Sequence, residues 1–308
     1  MFPATLLALA SRSPSLTSMA RSPDGIPAWS LAVGSMVAAQ LAAAVSVSLF
    51  DEIGTAGTAW LRLTFGALIL LVFVRPRLSN WSWPHVRTPL LLGVVSGFMT
   101  MFFLAAIARL PLGTAIAIDF LGPLSVAVFT SRSRAAIVWP VLALIGVLIL
   151  TEPWAGEVDP VGIGFAVLAG TMWALYILLM QRVGDRFSGL DGLAVMMPFA
   201  AVTAAVVGVP QAWGHLSPAV LGVGLAVAFL MPVLVFALEI VALRRLTTAA
   251  FGTLMALEPA IGTVIGLVVL TQVPHPLQLA GIALVVVAGV GAERIGRRNA
   301  PLIGPPAG

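Results

Sequence analysis

The chain lacks cysteine and lysine, has a single tyrosine, and is poor in charge, since only 9% of its 308 residues are Asp, Glu, Lys or Arg. Without cysteine, neither disulfides nor thiolate metal sites can form. A soluble domain carries about 25% charged residues, so this composition excludes an ordinary water-soluble protein. All 16 basic residues are Arg, and they exceed the 12 acidic residues to give a formal net charge of +4.

Apolar residues, by contrast, make up 60% of the chain, and the mean hydropathy is +1.07. A helix needs about 20 apolar residues to cross the hydrocarbon core of a bilayer. Continuous runs of this kind predict an all-α membrane protein with ten transmembrane helices. The predicted helices cover residues 28–50, 57–74, 88–108, 112–129, 135–150, 160–181, 193–211, 219–243, 247–270 and 277–291.

The gaps between these runs alternate in charge. Arg residues concentrate in every second gap and after the last helix, whereas the alternate gaps contain acidic residues with Arg109 as their one basic residue. Because Arg-rich loops stay in the cytoplasm, both termini are predicted to be cytoplasmic in a bacterial inner membrane. Residues 1–26 and 292–308 are predicted to be disordered tails, and either Met1 or Met19 can be the start.

The two halves of the chain contain a shared motif. A shift of 136 residues places Leu121-Gly122-Pro123 on Leu257-Glu258-Pro259. The matching helices are five apart in order, so we expect two inverted five-helix repeats, 27–151 and 158–291, around a central cavity. Secondary transporters commonly have this plan. Pro123 and Pro259 are predicted to kink their helices and act as hinges, although proline is also simply tolerated in membrane helices.

Four ionisable residues are candidates at membrane depth: Arg62, Asp119, Glu239 and Glu258. Each such group costs about 2.5 to 3.5 kcal/mol at the bilayer centre unless it has a partner, water or a neutral form. Arg62 either extends to the interface or binds a substrate carboxylate, which its guanidinium fits bidentately. Asp119 and Glu258 either pair structurally with Arg62 or cap helix ends, or they bind protons or an ammonium group.

Two more polar residues are expected in the same band, and two aromatic residues in the cytoplasmic half of the sixth helix. Gln40 and Thr100 are predicted to line the substrate site, and Trp173 and Tyr176 share one helix face as either site or core residues. Glu239 lies near Arg244 and Arg245, which favours pairing at the cytoplasmic interface.

The sequence contains few of the residue patterns that enzymes use. All three His residues lie between predicted helices, and there is no phosphate-binding loop, nucleophile elbow or Schiff-base lysine. We therefore expect no enzyme, no metal, no cofactor and no nucleic-acid partner. The expected partners are a small molecule, protons and the lipid bilayer, with the chain acting as a monomer or homodimer.

Three segments resemble one family. The segments RLPLGTAIAIDFLGPLSVAV (109–128), WALYILLMQRVG (173–184) and FGTLMALEPAIGTVIG (251–266) are similar to bacterial EamA-type drug/metabolite transporters. The resemblance implies ten helices in two inverted repeats and proton-driven export of small amino acids. Positions with the same or a similar residue in an amino-acid exporter of this family are Gln40, Arg62, Asp119, Trp173, Glu239 and Glu258. The chain departs from that exporter at Asp119, where the exporter has Glu, and at Thr100, where it has Asn.

The sequence therefore predicts a secondary transporter that exports a zwitterionic amino acid or a related metabolite. A site with both signs of charge fits a zwitterion, whereas a multidrug exporter of the same fold would favour carboxylates and aromatics without the Arg. A non-transporting scaffold or lipid-handling protein is the other alternative. It predicts that the buried polar groups pair internally and leave no cavity.

Overall fold

The computed structural model describes residues 27–76, 83–129, 137–151, 159–184, 191–245 and 254–298. The predicted N-terminal tail, 1–26, lies outside the described residues. Within them, the regular elements are all helical. They are α1 (Ala28–Val47), α2 (Phe50–Val74), α3 (Trp83–Ile107), α4 (Leu112–Asp119), α5 (Leu121–Phe129), α6 (Val138–Thr151), α7 (Pro160–Gly184), α8 (Asp191–Ala212), α9 (Pro218–Ala228), a π-helical turn (Phe229–Leu234), α10 (Val235–Arg245), α11 (Glu258–Leu270) and α12 (Pro276–Arg298).

These helices form ten apolar segments, as the sequence predicts. Six are long and apolar enough to cross a membrane, and four are shorter. Large apolar side chains cover the outside of the bundle: Val206 is 75% exposed and Val268 is 71% exposed. An apolar exterior of this kind is stable only against lipid.

The second helix begins earlier than predicted. The expected start was residue 57, but α2 begins at Phe50, so Asp51 and Glu52 form its first turn instead of a loop. Acidic residues suit this position because the N-terminus of a helix carries partial positive charge. Gly54, with φ of 69°, interrupts the helix just before the predicted start, which explains the error.

Both predicted hinge prolines follow helix breaks. Phe120 separates α4 from α5, and Pro123 is the third residue of α5. Pro259 lies at the start of α11, preceded by a turn at Ala256 and Leu257. The predicted kink in the middle of a helix is therefore wrong for Pro259. Proline is favoured in a first turn because the amide that it lacks would have no helical acceptor there.

Two further boundaries differ from prediction. The eighth predicted helix, 219–243, was expected to be continuous, but Met231, just before Pro232, has non-helical backbone angles and interrupts it. Proline removes a backbone donor, which explains the break. The last helix continues to Arg298, so residues 292–298 are helical and not part of a tail. Residues 299–308 lie outside the described part of the chain.

Helices from the two halves pack against each other throughout. The cross-half pairs include α2 with α8, α3 with α7, α6 with α12, α3 with α8, α1 with α10, and α4 with α11. Small residues allow close approach: a Cβ atom added at Gly281 would lie 2.7 Å from the carbonyl oxygen of Gly146. A large apolar core contains residues of both halves, among them Leu104, Ile116 and Met196. The halves therefore form one bundle.

Candidate functional site

A cavity of about 450 Å³ lies between the two halves. All seven residues predicted to bind substrate line it, although they come from six separate helices. They are Gln40, Arg62, Thr100, Asp119, Trp173, Tyr176 and Glu258. The tertiary structure thus collects into one space the polar groups that the sequence only placed at similar depths.

Arg62 is the cationic group of this cavity. It lies in the middle of α2 and is only 5% exposed. Gly66, one turn later, lets Pro232 pack against α2, because a Cβ atom there would lie 2.9 Å from Cδ of Pro232. The guanidinium therefore lies inside the bundle and does not extend to the membrane interface.

Asp119 is the last residue of α4, immediately before the break at Phe120. Gly170 lets α7 cross close to this break, since a Cβ atom there would lie 2.7 Å from the carbonyl oxygen of Asp119. The Oδ1 atom of Asp119 is buried and has no hydrogen-bond partner among the described residues. A buried polar atom without a partner is costly in a folded protein. A ligand in the cavity would satisfy it.

Glu258 is the first residue of α11 and is 6% exposed. The partial positive charge at the start of α11 stabilises a negative charge there. Asp119 and Glu239 lie close enough for their charges to act on Glu258. The break before Pro259 thus places an acid against the cavity, as the break before Pro123 does for Asp119.

The remaining predicted residues surround these charges. Gln40 on α1 and Thr100 on α3 are buried. Trp173 and Tyr176 lie on α7, and the Trp173 ring packs edge-on against Phe120 with centroids 6.5 Å apart. An edge-to-face pair of this kind holds both rings in place. Trp173 and Tyr176 therefore serve both as packing residues and as cavity wall.

Sequence reasoning missed several cavity residues. Ser96 lies one helical turn before Thr100 and is buried, so helical spacing from Thr100 was the signal that could have found it. Met231 and Pro232 line the cavity where the π-helical turn interrupts the helix. Glu239, expected at the interface, also lines the cavity and lies near Tyr176. The side chains of Arg244 and Arg245, its expected partners, lie outside what the structure describes.

The charges in the cavity are not paired with one another. Among the described residues, no ion pair joins Arg62 to Asp119, Glu239 or Glu258; the pair that is formed joins Arg109 to Asp159. The structural pairing considered for Asp119 and Glu258 is therefore absent from this structure. The scaffold alternative required internal pairing and no cavity, and the site has neither property.

The Arg109–Asp159 pair marks one face of the bundle. Arg109 Nη1 lies 2.7 Å from Asp159 Oδ2, and this bond lowers the pKa of the Asp159 carboxyl below its ordinary value of 3.8. At the same face, the amide of Leu112 donates to Oε1 of Gln272 over 2.9 Å. We call this the Arg109 face. Both contacts join the first half of the chain to the second.

The titratable residues of the structure can be compared with metal sites. No group of three or more His, Cys, Asp or Glu is placed to hold a metal ion within the ranges that the structure describes. The cavity instead offers one guanidinium, three carboxylates, an amide, hydroxyls and apolar walls. This chemistry suits a small polar molecule that carries charge.

A bundle of apolar helices around a cavity that is lined by buried charged side chains defines the class of protein, a multi-pass membrane transporter. Comparison with known proteins gives the family. Residues 160–291 match the model of the EamA-like transporter family. The chain is 37% identical over 292 residues to the threonine/homoserine exporter RhtA of Escherichia coli K12, covering 92% of this chain and 97% of the relative.

Two more comparisons agree. The chain is 37% identical over 268 residues to the threonine/homoserine exporter RhtA of Salmonella typhimurium SL1344, covering 86% of this chain and 90% of that one. A solved crystal structure of a chain with 18% identity superposes with a TM-score of 0.58 over 87% of this chain and 98% of the other, which shows a shared fold. This chain belongs to the EamA-like transporter family. It is an inner-membrane transporter and not an enzyme.

Proposed function

We propose that this protein exports threonine, homoserine or a closely similar amino acid in exchange for protons. The single observation that carries the proposal is the unpaired burial of Arg62, Asp119 and Glu258 in one cavity. A zwitterion has a carboxylate and an ammonium group, and this cavity offers a partner of opposite charge to each. The names of the relatives indicate which side chain the transported amino acid has, since both are threonine/homoserine exporters.

In this proposal, Arg62 holds the substrate carboxylate, because a guanidinium binds a carboxylate through two parallel hydrogen bonds. Asp119 and Glu258 receive the ammonium group or a proton, which are both cationic ligands for a carboxylate. Gln40 and Thr100 contribute hydrogen bonds from α1 and α3, and Trp173 and Tyr176 form part of the cavity wall. The multidrug alternative fits less well, since a lipophilic cation would gain nothing from Arg62.

Transport by this arrangement follows from two inverted repeats, 27–151 and 158–291, rocking around the cavity. The packing of helices supports such a relationship. We number the apolar segments from one to ten along the chain. Segments three and six pack against each other, and so do segments one and eight. Other pairs are two with seven, four with nine, and five with ten. If each segment is replaced by the segment five places away in the chain, the same set of pairs results, as expected for two related repeats of five segments. The breaks before Pro123 and Pro259 act as hinges in segments four and nine.

The orientation follows from the charge alternation. The Arg109 face is periplasmic and both termini are cytoplasmic. The transport unit in this proposal is a single chain, whether it acts as a monomer or as part of a homodimer.

The test is transport in proteoliposomes. Purified protein should exchange labelled threonine for unlabelled threonine at equal pH, and a pH gradient should drive net threonine flux. Asp119→Asn and Glu258→Gln should each lower gradient-driven flux at least 10-fold. Asp51→Asn, which changes an exposed acid at the start of α2, is the matched control. Absence of threonine and homoserine exchange in the unaltered protein would refute the substrate, and unchanged driven flux in both cavity variants would refute the proton role.

A further inference from the structure

Glu239 is the acid of the cavity that the proposed function leaves without a role. It lies on α10 after the π-helical turn and lines the same space as Asp119 and Glu258. Tyr176 lines this space as well. Glu239 thus borders the proposed substrate site.

The cavity holds more acid than base. Its charged and titratable side chains are Arg62, Asp119, Tyr176, Glu239 and Glu258. Three carboxylates thus share the space with one guanidinium, and none of them forms an ion pair with it in the described structure. A bound zwitterion is neutral overall, so it leaves this excess of negative charge unchanged. Protons or other cations must therefore occupy some of the carboxylates whether or not substrate is bound.

Two of the three acids lie at a similar depth. Helices α4 and α11 pack antiparallel, because a Cβ atom at Gly113 would meet Thr263 and a Cβ atom at Gly262 would meet Ile116. Asp119 and Glu258 both lie about one turn beyond this contact, and Asp119 is roughly 10 Å from the start of α4 at about 1.5 Å per residue. Glu239 is roughly 9 Å from the opposite end of α10, so it is the acid nearest to that side of the membrane.

Asp119 supplies an independent sign that this group of acids binds a ligand. It is 7% exposed, lines the cavity, and its Oδ1 atom has no hydrogen-bond partner among the described residues. A buried acceptor without a partner in the protein is satisfied by a proton donor that binds and dissociates. A bare acidic cluster on a surface would show no such buried, unpartnered oxygen.

We propose that Asp119, Glu258 and Glu239 form a proton relay in which Glu239 is the last carboxylate before the cytoplasm. The inference rests on the proposed function. A proton enters at Asp119 from the periplasmic side, passes to Glu258, and leaves from Glu239 to the cytoplasm as the amino acid leaves in the other direction. In each transfer one carboxyl O–H bond breaks and another forms, so no oxidant or further reactant is needed.

The test separates binding from coupling by means of Glu239→Gln in proteoliposomes. Threonine exchange at equal pH requires binding and conformational change but no net proton movement, so the variant should keep it within about 2-fold of the unaltered protein. Flux driven by a pH gradient should fall at least 10-fold, and threonine-dependent acidification, read by a trapped pH dye, should be lost. Glu239→Asp should restore part of the driven flux, since it keeps the carboxyl group. Glu52→Gln, at an exposed acid of α2, should change neither measurement.

Other results would overturn the relay. Full driven flux and acidification in Glu239→Gln would show that protons do not pass this residue. Loss of exchange together with driven flux, without recovery in Glu239→Asp, would make Glu239 a binding or folding residue. If the unaltered protein exchanged no threonine or homoserine, the proposed function would fail first, and that failure is visible without any Glu239 variant.

Discussion

Gln211 and Gly57 lie 154 residues apart in the chain, yet Oε1 of Gln211 accepts a hydrogen bond from the amide of Gly57 over 3.3 Å. The same oxygen accepts from the amide of Ala56 over 3.0 Å. Both amides follow Gly54, whose φ of 69° interrupts the helical hydrogen-bond pattern. The end of α8 thus supplies the acceptor that the first turns of α2 lack.

Replacing this acceptor should weaken the fold. We expect Gln211→Met to lower the free energy of unfolding by about 1 to 3 kcal/mol, because two partly buried amides lose their partner. The measurement is the unfolding midpoint of purified protein in detergent. Gln278→Met is the control, since Gln278 also accepts one backbone amide, from His275 over 3.0 Å, but at an exposed position. Equal midpoints for the two variants would contradict the role of Gln211.

The Arg109–Asp159 pair predicts a pH dependence of stability. Because the pKa of Asp159 is lowered in the folded protein by its bond to Arg109, the pair stabilises the fold above the ordinary pKa, and this contribution is lost as the pH falls through the lowered value. The melting temperature of the unaltered protein should exceed that of Asp159→Asn at pH 7, by a small margin because the pair is exposed. The two should converge in acid.

A series of melts between pH 7 and pH 3 checks this. Arg109→Gln should lose a similar margin at pH 7 and also converge with the unaltered protein in acid, since either change removes the pair. A difference between unaltered protein and Asp159→Asn that grows toward acid would show that the sign is wrong.

The close contact of α4 with α11 should not tolerate a methyl group. A Cβ atom at Gly113 would lie 3.1 Å from Cα of Thr263, which is backbone and cannot move aside alone. We therefore expect Gly113→Ala to destabilise the protein by about 1 to 3 kcal/mol through overpacking. Gly164→Ala on α7 meets no atom within 4 Å, so it should be neutral or slightly stabilising because alanine favours helix. Unfolding in detergent measures both, and a neutral Gly113→Ala would refute the close packing.

Arg62 should recognise the carboxylate by its two-pronged geometry and not by charge alone. We expect Arg62→Lys to weaken threonine binding about 10-fold, which is about 1.4 kcal/mol, because lysine is a point charge without the planar fork. The measurement is competition with threonine exchange by threonine and by threoninol, which lacks the carboxylate. Threoninol should compete poorly in the unaltered protein, and the ratio between the two should shrink in Arg62→Lys. Equal competition by both compounds in the unaltered protein would remove Arg62 from the carboxylate site.

The pattern of apolar runs was enough to find the ten segments and their order, because the bilayer imposes a length and a composition on every helix that crosses it. Arg62, Asp119 and Glu258 were also predictable as cavity residues, since a charge at membrane depth is stable only away from lipid. Their proposed roles in binding and coupling stay predictions. Sequence reasoning failed to predict where the helices are interrupted. The interruptions at Gly54, at Met231 and before α11 depend on which neighbouring residues supply hydrogen-bond partners to the backbone.

Glu239 shows the same limit from the side of the site. Along the chain it lies beside Arg244 and Arg245, and proximity in sequence favoured pairing with them. In the folded protein the π-helical turn at Phe229–Leu234 changes the rotation of α10 about its axis, which decides the direction in which every later side chain of that helix points. A shift of one residue in a helix turns its faces by about 100°.

By itself, the sequence determined that this protein is a membrane protein, how many apolar segments it has, and which few polar residues must avoid lipid. These properties depend on transfer free energies that add along the chain. The tertiary structure alone decided that seven of those residues line a single cavity, that Arg62 stays unpaired within it, and that Glu239 joins the acids. Such outcomes depend on contacts between segments distant in the chain, where a glycine crossing or one interrupted helical turn sets the distance and direction of each side chain.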